Sequence, residues 1–196
     1  MMTGADFRQL IWTSIVNPAE GAEQVAALRP GRDVLWMALV LMAALNTVLL
    51  ILANFLVPGP WPLPGILANP LVYMGVLAAF LALSAWLLFW VGRLLGGQGS
   101  FEDLLGTLIW LQVLRVAVQA ASLIVLIVSP LLAGVFGIAA AVYGIYVGLH
   151  FVNVAHRFYS LGRAGLALVG AAVALILVLS LLLSVFGIPG MEAAYV

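Results

Sequence analysis

Long apolar runs separated by short polar gaps set the pattern of this chain. The runs cover residues 34–57, 71–95, 104–128, 131–154 and 164–188. Each holds about 24 residues, against roughly 20 needed for a helix to cross the hydrocarbon core, so the pattern predicts five tilted transmembrane helices. Two weaker periodic stretches come first. Over residues 5–16, Phe7, Leu10, Ile11 and Ile15 share one helical face with Trp12 beside them, while Asp6, Arg8 and Gln9 lie elsewhere. That spacing predicts a short interfacial helix on the membrane surface. Asn17-Pro18-Ala19-Glu20 then predicts a restart. Asn17 would accept from exposed amides, Pro18 suits the first turn, and Glu20 would reach back to the cap. Arg29-Pro30-Gly31 ends the second helix.

The gaps orient the chain. Arg8, Arg29 and Arg32 precede span one, Arg93 ends span two, and Arg157 and Arg163 follow span four. The intervening gaps, residues 58–70 and Ser129-Pro130, carry no charge. Positive residues favour the cytoplasmic side, so the amino terminus is expected in the cytoplasm and the carboxyl terminus outside. Trp36, Trp90 and Trp61 fall near the two interfaces, as an aromatic belt requires. The proline-rich segment 58–64 is expected to be extended and stiff. Ser129-Pro130 is so short that spans three and four are expected to form an antiparallel hairpin. The expected organisation is cytoplasmic amphipathic helices over residues 1–33, a five-helix bundle over 34–188, and a short external tail over 189–196.

Composition narrows the chemistry. Of 196 residues, 66% are hydrophobic and 7% charged, more apolar surface than a water-soluble domain of this size can hide. Net charge is zero, which gives no electrostatic case for nucleic acid. There is no cysteine, which removes disulfides and thiol nucleophiles. All seven cations are arginine, which removes Schiff-base chemistry and a phosphate-loop lysine. No secretory signal is visible, and the arginine-only, alanine- and leucine-rich usage fits a bacterial source.

Arg115 is the most informative polar residue. It lies near the middle of span three, where an arginine costs about 2.5–3.5 kcal/mol to insert, so compensation is expected. Gln112, Arg115, Gln119 and Ser122 share one helical face, and Asn46, Ser84 and Tyr143 are candidate partners at similar depth. A buried polar face satisfied within the bundle is one reading. A lipid phosphate, an anionic ligand or a partner's carboxylate as counter-charge is the other. Between spans two and three, Gly96, Gly97 and Gly99 predict a tight turn, and Ser100 with Asp103 predicts a capping box. Gly137, Ala141, Gly144 and Gly148 in span four predict close helix approach, chiefly inside the bundle. His150, Asn153, His156 and Arg157 end that span. The two histidines lack a third ligand, so no metal or other cofactor is expected. Ser84, Ser180 and Ser184 lack a histidine at similar depth, so neither a serine nucleophile nor any other catalytic residue is expected.

Three segments resemble the Yip domain family of multipass membrane proteins, in a bacterial form. They are Asn17-Pro18-Ala19-Glu20 before span one, Gly96-Gly97-Gln98-Gly99-Ser100-Phe101 entering span three, and Gly148-Leu149-His150 before the last cytoplasmic turn. The resemblance covers about residues 15–190. It implies a five-helix bundle with a cytoplasmic amino terminus. Eukaryotic relatives are associated with small GTPases of vesicle traffic and organelle membrane shape, and form complexes with one another. The acidic-leucine-tyrosine-glycine-proline motif of those relatives is missing here, so a GTPase role is not carried over. The combined expectation is a non-enzymatic inner-membrane protein that associates with membrane proteins, lipids or itself as a scaffold or accessory subunit. A small transporter or channel for an anion is the alternative.

Overall fold

The computed structural model describes residues 3–56 and 65–186. The proline-rich segment 58–64, the last residues of span five and the tail 189–196 lie outside the described residues. Seven α-helices follow in order: α1 Gly4–Val16, α2 Pro18–Leu28, α3 Arg32–Leu56, α4 Pro70–Leu94, α5 Phe101–Val128, α6 Pro130–His156 and α7 Leu161–Phe186. A 3₁₀ turn, Gly65–Ala68, precedes α4. The last five helices are each long and apolar enough to cross a membrane, as the hydrophobic runs predict.

The helix ends follow local chemistry. Ser100 accepts from the Asp103 amide at 3.1 Å while the Asp103 carboxylate accepts from the Ser100 amide at 3.0 Å, the reciprocal cap read from the sequence. It starts α5 at Phe101, three residues before the apolar run itself. Ser129 alone joins α5 to α6. It ends the first helix and, with Pro130 in the first turn, caps the second by accepting from the Leu132 amide. Asn17 departs from expectation, because its side chain makes no cap bond to the backbone of α2. The same residue also closes α1, donating its amide to the Thr13 carbonyl, which holds its backbone outside the usual extended cap geometry. Its side-chain amide instead donates to the Glu20 carboxylate at 3.0 Å.

Packing is concentrated at one end. Leu35, Leu39, Leu81, Ala85, Leu105 and Ile109 join α3, α4 and α5. Leu88, Leu104, Val152, Ala155, Ala164 and Ala167 join α4 to α7. Apart from Leu81 at mid-helix, these residues lie in the halves of their helices nearest the polar turns that carry Arg32, Arg93, Arg157 and Arg163. Towards the opposite end Ile127, Leu131, Val135 and Leu181 are exposed, an apolar surface suited to lipid.

The two short amphipathic helices form a hairpin about Asn17, with Gly21 against the backbone of Ser14. A side chain at Gly21 would push α1 off α2. The apolar stripe of α1 faces the bundle through Leu10, buried with Ala22, Trp110, Leu114, Val147 and Phe151, while Trp12 and Val16 stay exposed. Tyr143 donates from its hydroxyl to the Ile15 carbonyl. Tyr143 stands thirteen residues from either end of α6, about 20 Å along its axis, so the hairpin tip reaches mid-height of the bundle.

Candidate functional site

The residues expected at mid-height do not gather into one cluster. Asn46 donates to the Met42 carbonyl at 2.8 Å and Ser84 to the Phe80 carbonyl at 2.7 Å, each within its own helix. Tyr143 is engaged with α1. No hydrogen bond links any two of Asn46, Ser84, Gln112, Arg115, Gln119 and Tyr143 among the described residues. Arg115 is exposed, and Gln119 Oε1 is buried without a partner. Ser84 lines a small, mostly apolar cavity of about 150 Å³ with Leu88, Leu108 and Leu168. The small residues of α6 make no tight contact: a Cβ on Gly137, Gly144 or Gly148 would meet nothing within 4 Å, and although Gly148 is buried, Ala141 and Gly144 are exposed. The expected close approach inside the bundle is therefore absent at these glycines. The close approaches fall elsewhere, at Gly92, Gly97, Gly99 and Gly170.

Gly92, Gly97 and Gly99 build a frame around His156, at the end of the bundle where α4 meets α5 and α6 ends, and the His156 side chain is fully buried. His156 Nε2 lies 3.2 Å from the Leu88 carbonyl, so this nitrogen carries the proton and donates it to α4. Its backbone carbonyl accepts from the Gln98 amide at 2.9 Å. Gly92 and Gly97 leave the ring its space; a Cβ on Gly92 would fall within 2.1 Å of Nε2. Gly97 donates its amide to the Gly92 carbonyl, and Gly96 takes a left-handed φ of 86° that closes the turn. Gly99 abuts the Ala155 carbonyl oxygen. The glycine turn thus joins three helices: it ends α4, begins α5 and seats the last turn of α6. Asn153 fixes the next turn, its side-chain oxygen accepting from the Ser160 amide at 2.9 Å.

A cleft of about 850 Å³ opens beside this frame, between α2 and the adjoining ends of α3, α5 and α6. Leu35, Ile109 and Trp110 line its depth, with Thr107 and His150 on the walls. Glu23, Arg29, Glu102 and Arg157 also line it and are exposed. No hydrogen bond among the described residues uses the side chain of Arg29, Glu102 or Arg157. The cleft therefore combines apolar depth with a mouth of both charge signs, an arrangement suited to holding an amphiphile or a partner segment. Sequence reading missed this site because its charges come from three segments far apart in the chain, α2 with its cap, the start of α5 and the end of α6. Arg29 and Arg157 sit in left-handed caps and Glu102 in the first turn of α5, positions that also suit ordinary helix ends.

Trp110 supports the cleft from below. It is 6% exposed, its Nε1 donates to Ser14 Oγ at 3.0 Å, and the Phe7 ring meets it edge-on with centroids 5.6 Å apart. One side chain of α5 thereby holds α1 in place.

No curated protein and no solved structure matches this chain. The Yip1 domain family model, in contrast, matches residues 12–183, from within α1 almost to the end of α7. The match thus takes in the glycine turn, the cap at Ser100 and the last turn of α6, and with five membrane-length helices behind it the chain belongs to the Yip1 domain family.

Proposed function

We propose that this protein is a non-enzymatic component of a bacterial inner membrane, with its amino terminus in the cytoplasm and its carboxyl terminus outside. It acts by associating with other membrane proteins or with lipid, as a scaffold or accessory subunit. The observation that carries this reading is the division of the molecule. The arginine-bearing end is a rigid frame holding a cleft with unengaged charges, and the opposite halves of the helices offer apolar surface. Asn46 and Ser84 spend their hydrogen bonds on their own helices, which weakens the anion-path alternative.

Purification from native membranes in a mild detergent, with chemical cross-linking before extraction, tests the reading. A stable complex or self-assembly supports it; a lone chain without protein or lipid overturns it. Arg115 offers a sharper probe, since it is exposed on a membrane helix. Replacing it with leucine removes an insertion penalty of about 2.5–3.5 kcal/mol, so the yield of Arg115→Leu should hold or rise. If Arg115 meets an anionic group in the assembly, the complex should nevertheless weaken. Unchanged assembly would leave Arg115 without a part in it.

Orientation has a direct test because the chain has no cysteine. Tyr159, 91% exposed in the α6–α7 turn, accepts a reporter cysteine without disturbing the core. Tyr159→Cys should react with a membrane-impermeant maleimide in inverted vesicles and stay unlabelled in intact cells. Labelling from outside would reverse the arrangement.

A further inference from the structure

We infer that the cleft between α2, α3, α5 and α6 binds one zwitterionic aminophospholipid, its headgroup at the mouth and an acyl chain directed towards Trp110. Three features lead to this ligand. The first is shape: from the first turn of α5 to Trp110 is nine residues, about 13 Å along the helix, which suits a headgroup and the upper part of a chain. The second is polarity, which changes along that path from ionic to apolar. Glu23, Arg29, Glu102 and Arg157 are exposed at the mouth, whereas Leu35 and Trp110 are buried in its depth.

The third feature is charge. Three carboxylates, Glu23, Glu102 and Asp103, and two guanidinium groups face the same space, and the Asp103 carboxylate is already engaged in the Ser100 cap. A purely anionic headgroup would gain the arginines and meet the carboxylates. A headgroup with phosphate and primary ammonium satisfies both signs: the guanidinium groups of Arg29 and Arg157 donate to phosphate oxygens, and the ammonium donates to Glu23 or Glu102. A quaternary ammonium has no N–H to donate, so a choline headgroup loses that half of the recognition. Position agrees, because the mouth lies at the ends of membrane-length helices, where headgroups are found.

The proposal deepens the association reading by naming a lipid class for this cleft. The test is native mass spectrometry of the purified full chain, equilibrated with phosphatidylethanolamine, phosphatidylcholine or phosphatidylglycerol of matched acyl chains. The expected result is one retained phosphatidylethanolamine per chain, favoured about tenfold over the other two, the discrimination of about one charge-assisted hydrogen bond. Replacing both free carboxylates together, Glu23→Gln with Glu102→Gln, should erase the preference for ethanolamine over choline. Arg157→Asn, which keeps a residue tolerant of the left-handed cap, should lower retention of all three lipids. Equal retention of the three lipids by the natural chain overturns the proposal. So does a preference for phosphatidylglycerol, a preference that survives in both variants, or a protein segment occupying the cleft in place of lipid. A lone chain retaining phosphatidylethanolamine supports this site with no assembly present; a protein complex with no selective lipid supports assembly alone.

Discussion

Adding one methyl group at Gly92 should destabilise the bundle by roughly 3 kcal/mol or more, through overpacking joined to a broken buried hydrogen bond. The new Cβ would stand within 2.1 Å of His156 Nε2, and the ring has no free space to enter because Gly97 and Phe158 close its other sides. Moving the ring away also separates Nε2 from the Leu88 carbonyl. An unfolding titration of Gly92→Ala in mixed detergent and dodecyl sulfate micelles measures the loss. His156→Ala provides the control. Without the ring the added methyl has room, so on that background Gly92→Ala should cost less than about 0.5 kcal/mol, a strongly non-additive cycle. Independent, additive effects would mean that the two residues are not in contact.

Trp110→Ala should release the amino-terminal hairpin, at a local cost of about 3–5 kcal/mol, as expected for a large aromatic removed from a packed site. The substitution removes the packing surface for Phe7 and Leu10 and leaves Ser14 Oγ buried without its donor. The spans lose less, since the two other buried clusters do not include Trp110. Limited proteolysis reads the difference: trypsin after Arg8 and a glutamate-specific protease after Glu20 and Glu23 should cut the variant much faster than the natural chain. Trp110→Phe should fall between, because the ring packing remains while the bond to Ser14 is lost. Trp90→Ala, at a half-exposed position, should leave the cutting rates unchanged. Equal protection of Trp110→Ala would mean that something else seats α1.

The architecture was legible because membrane helices announce themselves by length and polarity, and the helix ends by short-range chemistry. Ser100 with Asp103, Ser129 with Pro130 and the turn glycines all act within a few residues, and each was readable from the local sequence. Long-range choices were not. Nothing in the periodicity of α1 distinguishes a stripe facing lipid from one facing Trp110, because both partners are apolar. Nothing local marks His156 as buried, since a histidine at a helix end ordinarily faces the interface. The signal that it is buried lies in Gly92 and Gly97, sixty-four and fifty-nine residues away. The glycines of α6 misled in the opposite sense: small residues permit close approach but do not compel it. The polar residues of the spans could not be paired from depth alone, because serine and asparagine can satisfy themselves on the preceding turn of their own helix.

The single-residue joint at Ser129 has a mechanical consequence. With no slack between them, α5 and α6 cannot slide past each other along their axes. Glu102 and Arg157 stand at the far ends of that pair, so their separation can change only if α5 and α6 splay against their own packing. Widening or narrowing of the cleft is therefore left to the opposite wall, α2 and the first turns of α3, which hang from the short Arg29-Pro30-Gly31 strap.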